Sequence, residues 1–367
     1  MLSNLYKINW LFIFLILVLT FIGFMALYSA AGANFDLWAK KQALKFSVSL
    51  VLLFIIAFID MRIWFKYAYQ IFFLSLLLLF SVEIFGTFGL GAKRWIKIFN
   101  ISIQPSELIK VTLILFLAKY YQNLRYDRIH LKMELIIPVI GVILPCFLVL
   151  IQPDLGTAVL IFLLGVIIIF LAGIRIWKFM LSFIIGIILM PIMWIYVLKD
   201  YQKLRLKSFL NPELDPLGTG YHLIQSKIAL GSGGLYGKGF LKGTQAYLNY
   251  LPEKQTDFIF TLIGEEFGFI GTVFILLLYI VMIAICFYIS FKSYSKFGRL
   301  ISLGIGTNLF LYVIFNTAMV TGLMPVVGVP LPLLSYGGSV MFSVMISFGL
   351  LMNTNIYNYQ DKILRND

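Results

Sequence analysis

Ten apolar runs divide this chain, near residues 10–31, 43–59, 68–85, 106–122, 135–151, 155–174, 178–198, 258–290, 301–322 and 338–356. Most are about as long as a bilayer core asks of a helix, roughly 17–25 residues. None alternates with the period of two that a lipid-facing strand would show. In lipid, backbone N–H and C=O groups must bond internally, which leaves helices or a closed barrel; the missing alternation selects helices. Composition agrees: 61% of residues are hydrophobic and 12% charged, about half the charge of a soluble domain. The expected fold is an all-α polytopic membrane protein with ten transmembrane helices. The first run is too long for a signal-peptide core and lacks a convincing small-residue cleavage site, so it reads as a retained span. The eighth exceeds one crossing; it either tilts or begins outside the hydrocarbon.

Basic residues orient the spans. Fourteen Lys and Arg, from Lys7 and Arg62 to Lys362 and Arg365, fall in the short loops of one side. The other side's short loops hold six: Lys40, Lys41, Lys45, Lys93, Arg94 and Lys97. Both termini are therefore expected in the cytoplasm, with residues 199–256, a long loop between helices 7 and 8, outside. The chain reads as a single membrane domain over residues 1–367 that includes this loop. The net charge of +13 suits anionic lipid. Without a compact basic module, no nucleic-acid partner is expected. Cys146 and Cys286 lie inside apolar runs, and His130 and His222 in separate loops, so neither a disulfide framework nor a histidine metal site follows.

In this orientation three even-numbered spans open at the outer face with an acid: Gln104-Pro105-Ser106-Glu107, Gln152-Pro153-Asp154 and Thr256-Asp257-Phe258. A helix N-terminus favours negative charge, so plain capping explains Asp154 and Asp257 well. It explains Glu107 with Lys110 less well. These two share a helix face, and Lys110 lies a turn inside the span, where charges face a partner or a cavity. A buried ion pair and a polar pocket opening outward both fit. Glu265 and Glu266 would lie about 12 Å along a continuous eighth helix, in a deep cavity or still at the interface. In the outer loop, Gly231-Ser232-Gly233-Gly234-Leu235-Tyr236-Gly237-Lys238-Gly239 is either a flexible connection or, beside Lys227, Lys238 and Lys242, a cradle for a diphosphate. Gly91-Ala92-Lys93-Arg94-Trp95-Ile96 is a basic–aromatic cluster that serves as an interfacial anchor or a headgroup contact. Residues 322–332 hold three prolines and two glycines; a re-entrant loop lining a cavity fits them.

At these segments, taken in order along almost the whole chain, the sequence resembles the SEDS family (shape, elongation, division and sporulation) of bacterial membrane glycosyltransferases. The resemblance is carried by Ala92-Lys93-Arg94-Trp95-Ile96, Gln104-Pro105-Ser106-Glu107-Leu108, Gln152-Pro153-Asp154-Leu155-Gly156-Thr157, the glycine-rich loop, and residues 251–260 and 322–338. Gly243-Thr244-Gln245 and residues 325–332 look like the family's elongation branch. One departure is Gln255, where a His is common.

The resemblance implies polymerisation of lipid II into glycan strands at the outer face of the bacterial cytoplasmic membrane, with undecaprenyl diphosphate released. It implies a class B penicillin-binding protein as partner, among other elongation-complex membrane proteins. The family's essential outer-loop Asp matches Asp257, and its polar-cavity residues match Glu107, Lys110 and Asp154. The expected chemistry is an inverting displacement with Asp257 as general base. Lys110, Arg94, Lys227 and Lys238 are candidates for the leaving diphosphate. A divalent cation, Mg or Mn, near Asp257, Glu107 or Asp154 is a further expectation. The competing readings are a lipid II flippase, favoured by polar intramembrane groups and irregular backbone, and a non-catalytic scaffold of the wall-elongation complex.

Overall fold

A computed structural model describes residues 6–89, 92–98, 101–124, 132–180, 200–211, 218–244 and 253–358, with a few isolated positions between 181 and 199. The expected seventh span, residues 178–198, lies largely outside the described residues, as do residues 212–217 and 245–252 of the outer loop.

The helices are α1 Trp10–Ala30, α2 Ala39–Phe58, α3 Met61–Phe85, α4 Pro105–Asn123, α5 Lys132–Ile151, α6 Leu155–Leu171, α7 Asp200–Leu210, α8 Thr219–Ser232, α9 Ile259–Lys292, α10 Lys296–Thr321 and α11 Gly338–Tyr357. Seven of them, α1, α2, α3, α5, α9, α10 and α11, are long and apolar enough to cross a membrane. The 17-residue α6 is apolar but shorter, and α4 carries Glu107, Lys110 and Lys119. The chain is a multi-pass membrane protein.

One correction concerns fold class. The chain is mostly helical but not all-α. Between α3 and α4 lies a small antiparallel sheet of β1 Thr87–Gly89, β2 Ala92–Ile98 and β3 Ile101–Ile103, in the order β1-β2-β3. Trp95 pairs with Thr87, and Ile96 with Ile103. The basic–aromatic cluster is thus strand, where alternation sends successive side chains to opposite faces.

Burial separates centre from periphery. The apolar windows of α10 and α11 are 78% and 83% buried, against 28% for α3. α3 and α5 turn Phe73, Leu77, Phe80, Ile140, Ile143 and Phe147 outward, as lipid-facing helices do. At the centre, polar groups join helices: Asn353 donates from Nδ2 to the carbonyls of Ile56 and Ala57 at the end of α2, and Ser302 meets Thr354 at 3.0 Å. Residues 322–337 fold inward as a re-entrant segment. Pro332 O accepts from the buried Tyr279 hydroxyl, and a Cβ added at Gly23, inside α1, would fall 2.7 Å from Leu333 O.

α9 is not one helix. Gly268 breaks it with φ 68°, ψ −164°, a conformation closed to residues with a Cβ. The glycine-rich loop fills the break with main-chain bonds. Lys238 N donates to Glu265 O at 3.0 Å, Gly239 N to Glu266 O at 3.0 Å, Phe269 N to Gly234 O at 2.9 Å and Ile270 N to Leu235 O at 3.2 Å. The glycines permit this contact: a Cβ at Gly237 would meet Glu266 O at 2.1 Å. The short segment 259–267 is thereby set off from the long membrane helix below it.

Candidate active site at the head of α9

Asp257 stands two residues before α9, whose N-cap is Phe258, with no side-chain capping bond. Asp154 does cap its helix, accepting from Thr157 N at 3.3 Å. Of two acids that look alike in sequence, one is engaged by its own helix and the other is not.

The Asp257 backbone is held from three directions. Asn316, fully buried on α10, donates from Nδ2 to Asp257 O at 2.9 Å and to Val329 O at 2.7 Å. Ser335 donates to Thr256 O at 2.6 Å, and Tyr336 N to Gln255 O at 2.8 Å. The head of α9 and the re-entrant segment are therefore one rigid piece. Gly328, in the left-handed region at φ 72°, lies against the carboxyl; a Cβ there would sit 3.2 Å from Asp257 Oδ2.

A cleft lined by Arg94, Asp154, Gln202, Arg205, Leu206 and Val327 opens next to Gly328, the residue that lies against the Asp257 carboxyl. β2 supplies Arg94. Its guanidinium donates to Gln152 O at 3.4 Å and to Pro153 O, and lies 3.8 Å from Asp154 Oδ2. α7 supplies Arg205, whose Nη1 donates to Val326 O at 3.5 Å. Burial pushes the Asp257 carboxyl up from the usual carboxylate range to about 7; Glu253 and Asp154 add to the rise, while Arg205 and Arg94 oppose it. Asp257 as a whole is half-buried, and its carboxyl is the buried part. A carboxylate poised near neutrality, with cations nearby, suits proton abstraction.

One turn deeper on α10 lies a second polar cluster, because Tyr312 and Asn316 are four apart. Lys110 Nζ is 2.6 Å from Glu107 Oε1, the Tyr312 hydroxyl bridges Glu107 and Lys110, and Ser343 reaches Glu107 Oε2 at 3.4 Å. Glu107 is 3% exposed and Lys110 1%. The pocket opening outward that the spacing allowed is absent at this pair; the geometry is that of a sealed ion pair. Helix α4 tucks both side chains against α10 and α11, away from the cleft.

The remaining sequence candidates separate. Lys238 is bound to Glu265 Oε1 at 2.7 Å and Thr244 at 2.8 Å. Lys227 is exposed and crosses Gly322 at the end of α10. Neither lines the cleft. The glycine loop does not form a diphosphate cradle here, because its Lys238 and Gly239 N–H groups already serve Glu265 and Glu266. Glu266 meets Ser29, next to the end of α1, so these two acids lie level with a helix end and not in a deep cavity. Among the described residues, no three His, Cys, Asp or Glu side chains gather as a metal set. Asp154, with both oxygens engaged, is a poor further donor.

Sequence reasoning missed Arg205 and Asn316. Asn316 is an amide inside an apolar run, a signal in itself. Arg205 follows Gln202 by three residues, a shared face that shows only once the segment is known to be helical.

Residues 9–360 match the family described as "Cell cycle protein", that of FtsW, RodA and SpoVE; the chain belongs to this family. It is 39% identical over 334 residues to the peptidoglycan glycosyltransferase MrdB of Escherichia coli, covering 91% of this chain and 89% of that one. It is 36% identical over 359 residues to the stage V sporulation protein E of Bacillus subtilis, covering 95% and 97%. Among solved structures, a chain from a peptidoglycan synthase complex that coordinates polymerization and crosslinking superposes with TM-score 0.83 at 29% identity, covering 96% of this chain and 99% of that one. The Thermus thermophilus rod shape determining protein RodA gives 0.73 at 27%, covering 96% and 98%.

Proposed function

We propose, from membership of that family and the geometry around Asp257, that this chain is a peptidoglycan glycosyltransferase. It polymerises lipid II at the outer face of the bacterial cytoplasmic membrane during elongation. Ten spans, with both termini in the cytoplasm, place Asp257 on that face. The acceptor's sugar 4-hydroxyl attacks the anomeric carbon of a second lipid-linked disaccharide. The donor is α-linked and the product β-linked, so one inverting displacement suffices. Asp257 takes the hydroxyl proton, the bond from the anomeric carbon to the diphosphate oxygen breaks, and undecaprenyl diphosphate leaves.

The observation that carries this reading is a carboxyl unused by its own helix, fixed by backbone bonds to a re-entrant segment, with a pKa near neutrality. A charge-bearing cleft beside it offers cations to a leaving diphosphate. Among the described residues the carboxylates do not gather as a three-ligand metal set. Any Mg or Mn would take most of its ligands from the substrate, and a chelator tests for it. The partner proposed is a class B penicillin-binding protein, supported by the likeness to a chain from a complex that couples polymerization to crosslinking.

The test is glycan polymerisation from purified lipid II with the partner present. Asp257→Asn is expected to lower the rate by about a hundredfold or more while the complex still assembles. Undiminished polymer from this variant overturns the base assignment. Lipid transfer between leaflets without polymer, in the same vesicles, favours the flippase.

A further inference from the structure

We propose that Gln42 on α2 is a positioning residue for the proton transfer: its buried amide sets the turn at Ser335, and Ser335 sets the main chain next to Asp257. The inference rests on the base assignment above and adds the residue that supports the base from behind the re-entrant segment.

The path runs almost wholly through main-chain atoms. Gln42 lies near the start of α2 and is 1% exposed. Its Nε2 donates to Ser335 O at 3.1 Å, and its Oε1 accepts from Gly337 N at 3.3 Å. One amide thus clasps both ends of the Ser335-Tyr336-Gly337 turn. Ser335, itself buried, is engaged at every polar atom. Its N–H donates to Leu331 O at 2.9 Å, and its hydroxyl accepts from Leu331 N at 2.8 Å and donates to Thr256 O at 2.6 Å. Tyr336 N, in the middle of the turn, donates to Gln255 O at 2.8 Å. Two of the three anchors described above for residues 255–257 therefore spring from the turn that Gln42 holds.

The residue type fits the task. Buried main-chain groups need partners, and Gly337, the N-cap of α11, gives its helix no side-chain cap. A primary amide carries the donor that Ser335 O needs and the acceptor that Gly337 N needs. The helix behind it is firm. Lys45, three residues on and on the same face, lies 3.2 Å from the Tyr336 hydroxyl and 4.3 Å from its ring centroid. At the far end of α2, Asn353 on α11 takes the carbonyls of Ile56 and Ala57, and a Cβ added at Gly349 would fall 2.8 Å from Leu53 O. α2 and α11 are thus fixed together along their length, and the turn that leads into α11 shares that fixity.

A base must stay within hydrogen-bond reach of the hydroxyl it serves, and displacement by an ångström from a remote change slows a reaction as much as a hundredfold. Loss of the clasp also admits water. Burial is the main cause that holds the Asp257 carboxyl up; the charged groups facing it are Glu253, Arg205, Asp154 and Arg94, and Lys45 faces the turn. Gln42 is uncharged, so a shift on its removal reports hydration and distance, not a deleted charge.

The test uses the purified full-length chain in lipid nanodiscs with its partner. Polymerisation of lipid II, thermal unfolding and amide exchange over residues 325–338 are measured for Gln42→Met, Lys45→Met, Asn353→Leu, Asp257→Asn and the double variant Gln42→Met with Asp257→Asn. Gln42→Met keeps the side chain's length. It is expected to lower kcat by roughly tenfold to a hundredfold with KM nearly unchanged, to move the pH–rate midpoint downward, and to speed exchange at Leu331 and Tyr336. Lys45→Met, at the half-buried end of the clasp, lowers kcat by about threefold. Asn353→Leu, at the opposite end of α2, lowers the melting temperature and leaves kcat and the midpoint in place. In the Asp257→Asn background, Gln42→Met adds little, because both act on one step. A folded Gln42→Met with unchanged kcat and midpoint overturns the proposal, as does a full additive loss in the double variant. Should Gln42→Met fail to fold, unchanged kcat and exchange in Lys45→Met overturn it equally. Undiminished polymerisation by Asp257→Asn sinks the base assignment instead, and exchange at Leu331 and Tyr336, read without turnover, still decides whether Gln42 holds the turn.

Discussion

Glu107 and Asp257 are both acids at the heads of helices, and α10 touches the two clusters one turn apart, through Tyr312 and Asn316. Around Glu107, both oxygens have donors within the buried core. Around Asp257, bonds hold the main chain while the buried carboxyl answers only to distant charges. The first arrangement ties α4 to α10 and α11. The second holds a carboxyl near neutrality with its oxygens uncommitted, as a proton acceptor requires. Residue type and helix position do not distinguish them; the partners of the carboxylate oxygens do.

The comparison can be broken most forcefully at the sealed pair. Lys110→Ala strands a buried carboxylate and is expected to cost about 3–5 kcal/mol of stability, whereas removing both charges with Glu107→Gln and Lys110→Met restores much of it. Thermal unfolding in detergent reads the difference. A double variant as unstable as the single one would mean that the pair is not a self-contained structural unit.

A smaller effect sharpens the other side. With Asp257 near 7, the polymerisation rate is expected to rise about tenfold per pH unit below that value and level off above it. Glu253→Gln removes a neighbouring negative charge and shifts the midpoint downward. A profile flat from about pH 5 to about pH 8 contradicts a titrating base.

The smallest effect is on stability, and its sign is opposite to that of a paired carboxylate. Because the folded pKa lies above the unfolded one, stability is greatest while Asp257 is protonated and falls as pH rises toward about 7. Asp257→Asn lacks this loss. Its melting temperature relative to wild type should therefore increase between about pH 5 and about pH 8, measured by the same thermal assay.

Much of the fold was legible in the chain because lipid imposes one rule on every span. α1 at Trp10–Ala30 and α11 at Gly338–Tyr357 fall where their apolar runs do. The break at Gly268 was not legible, because no proline marks it and its cause lies some thirty residues away in the loop that bonds into it. α7 and α8 were hidden inside a stretch read as loop, since a helix lying over a protein surface lacks a span's long apolar run. At the site, Asp257, Asp154 and Arg94 were legible as residues, and their neighbours were not. Arg205 meets them only through tertiary packing, and the lysines, equally cationic in sequence, are drawn off by Glu107, by Glu265 and by the end of α10.

The seam between residues 234–239 and 265–270 is stitched through main-chain atoms, so most side chains along it are irrelevant to its closure. Leu235 and Tyr236, 62% and 81% exposed, are free to drift. A lineage can re-tailor this outward rim to new neighbours while the footing of its proton acceptor stays untouched.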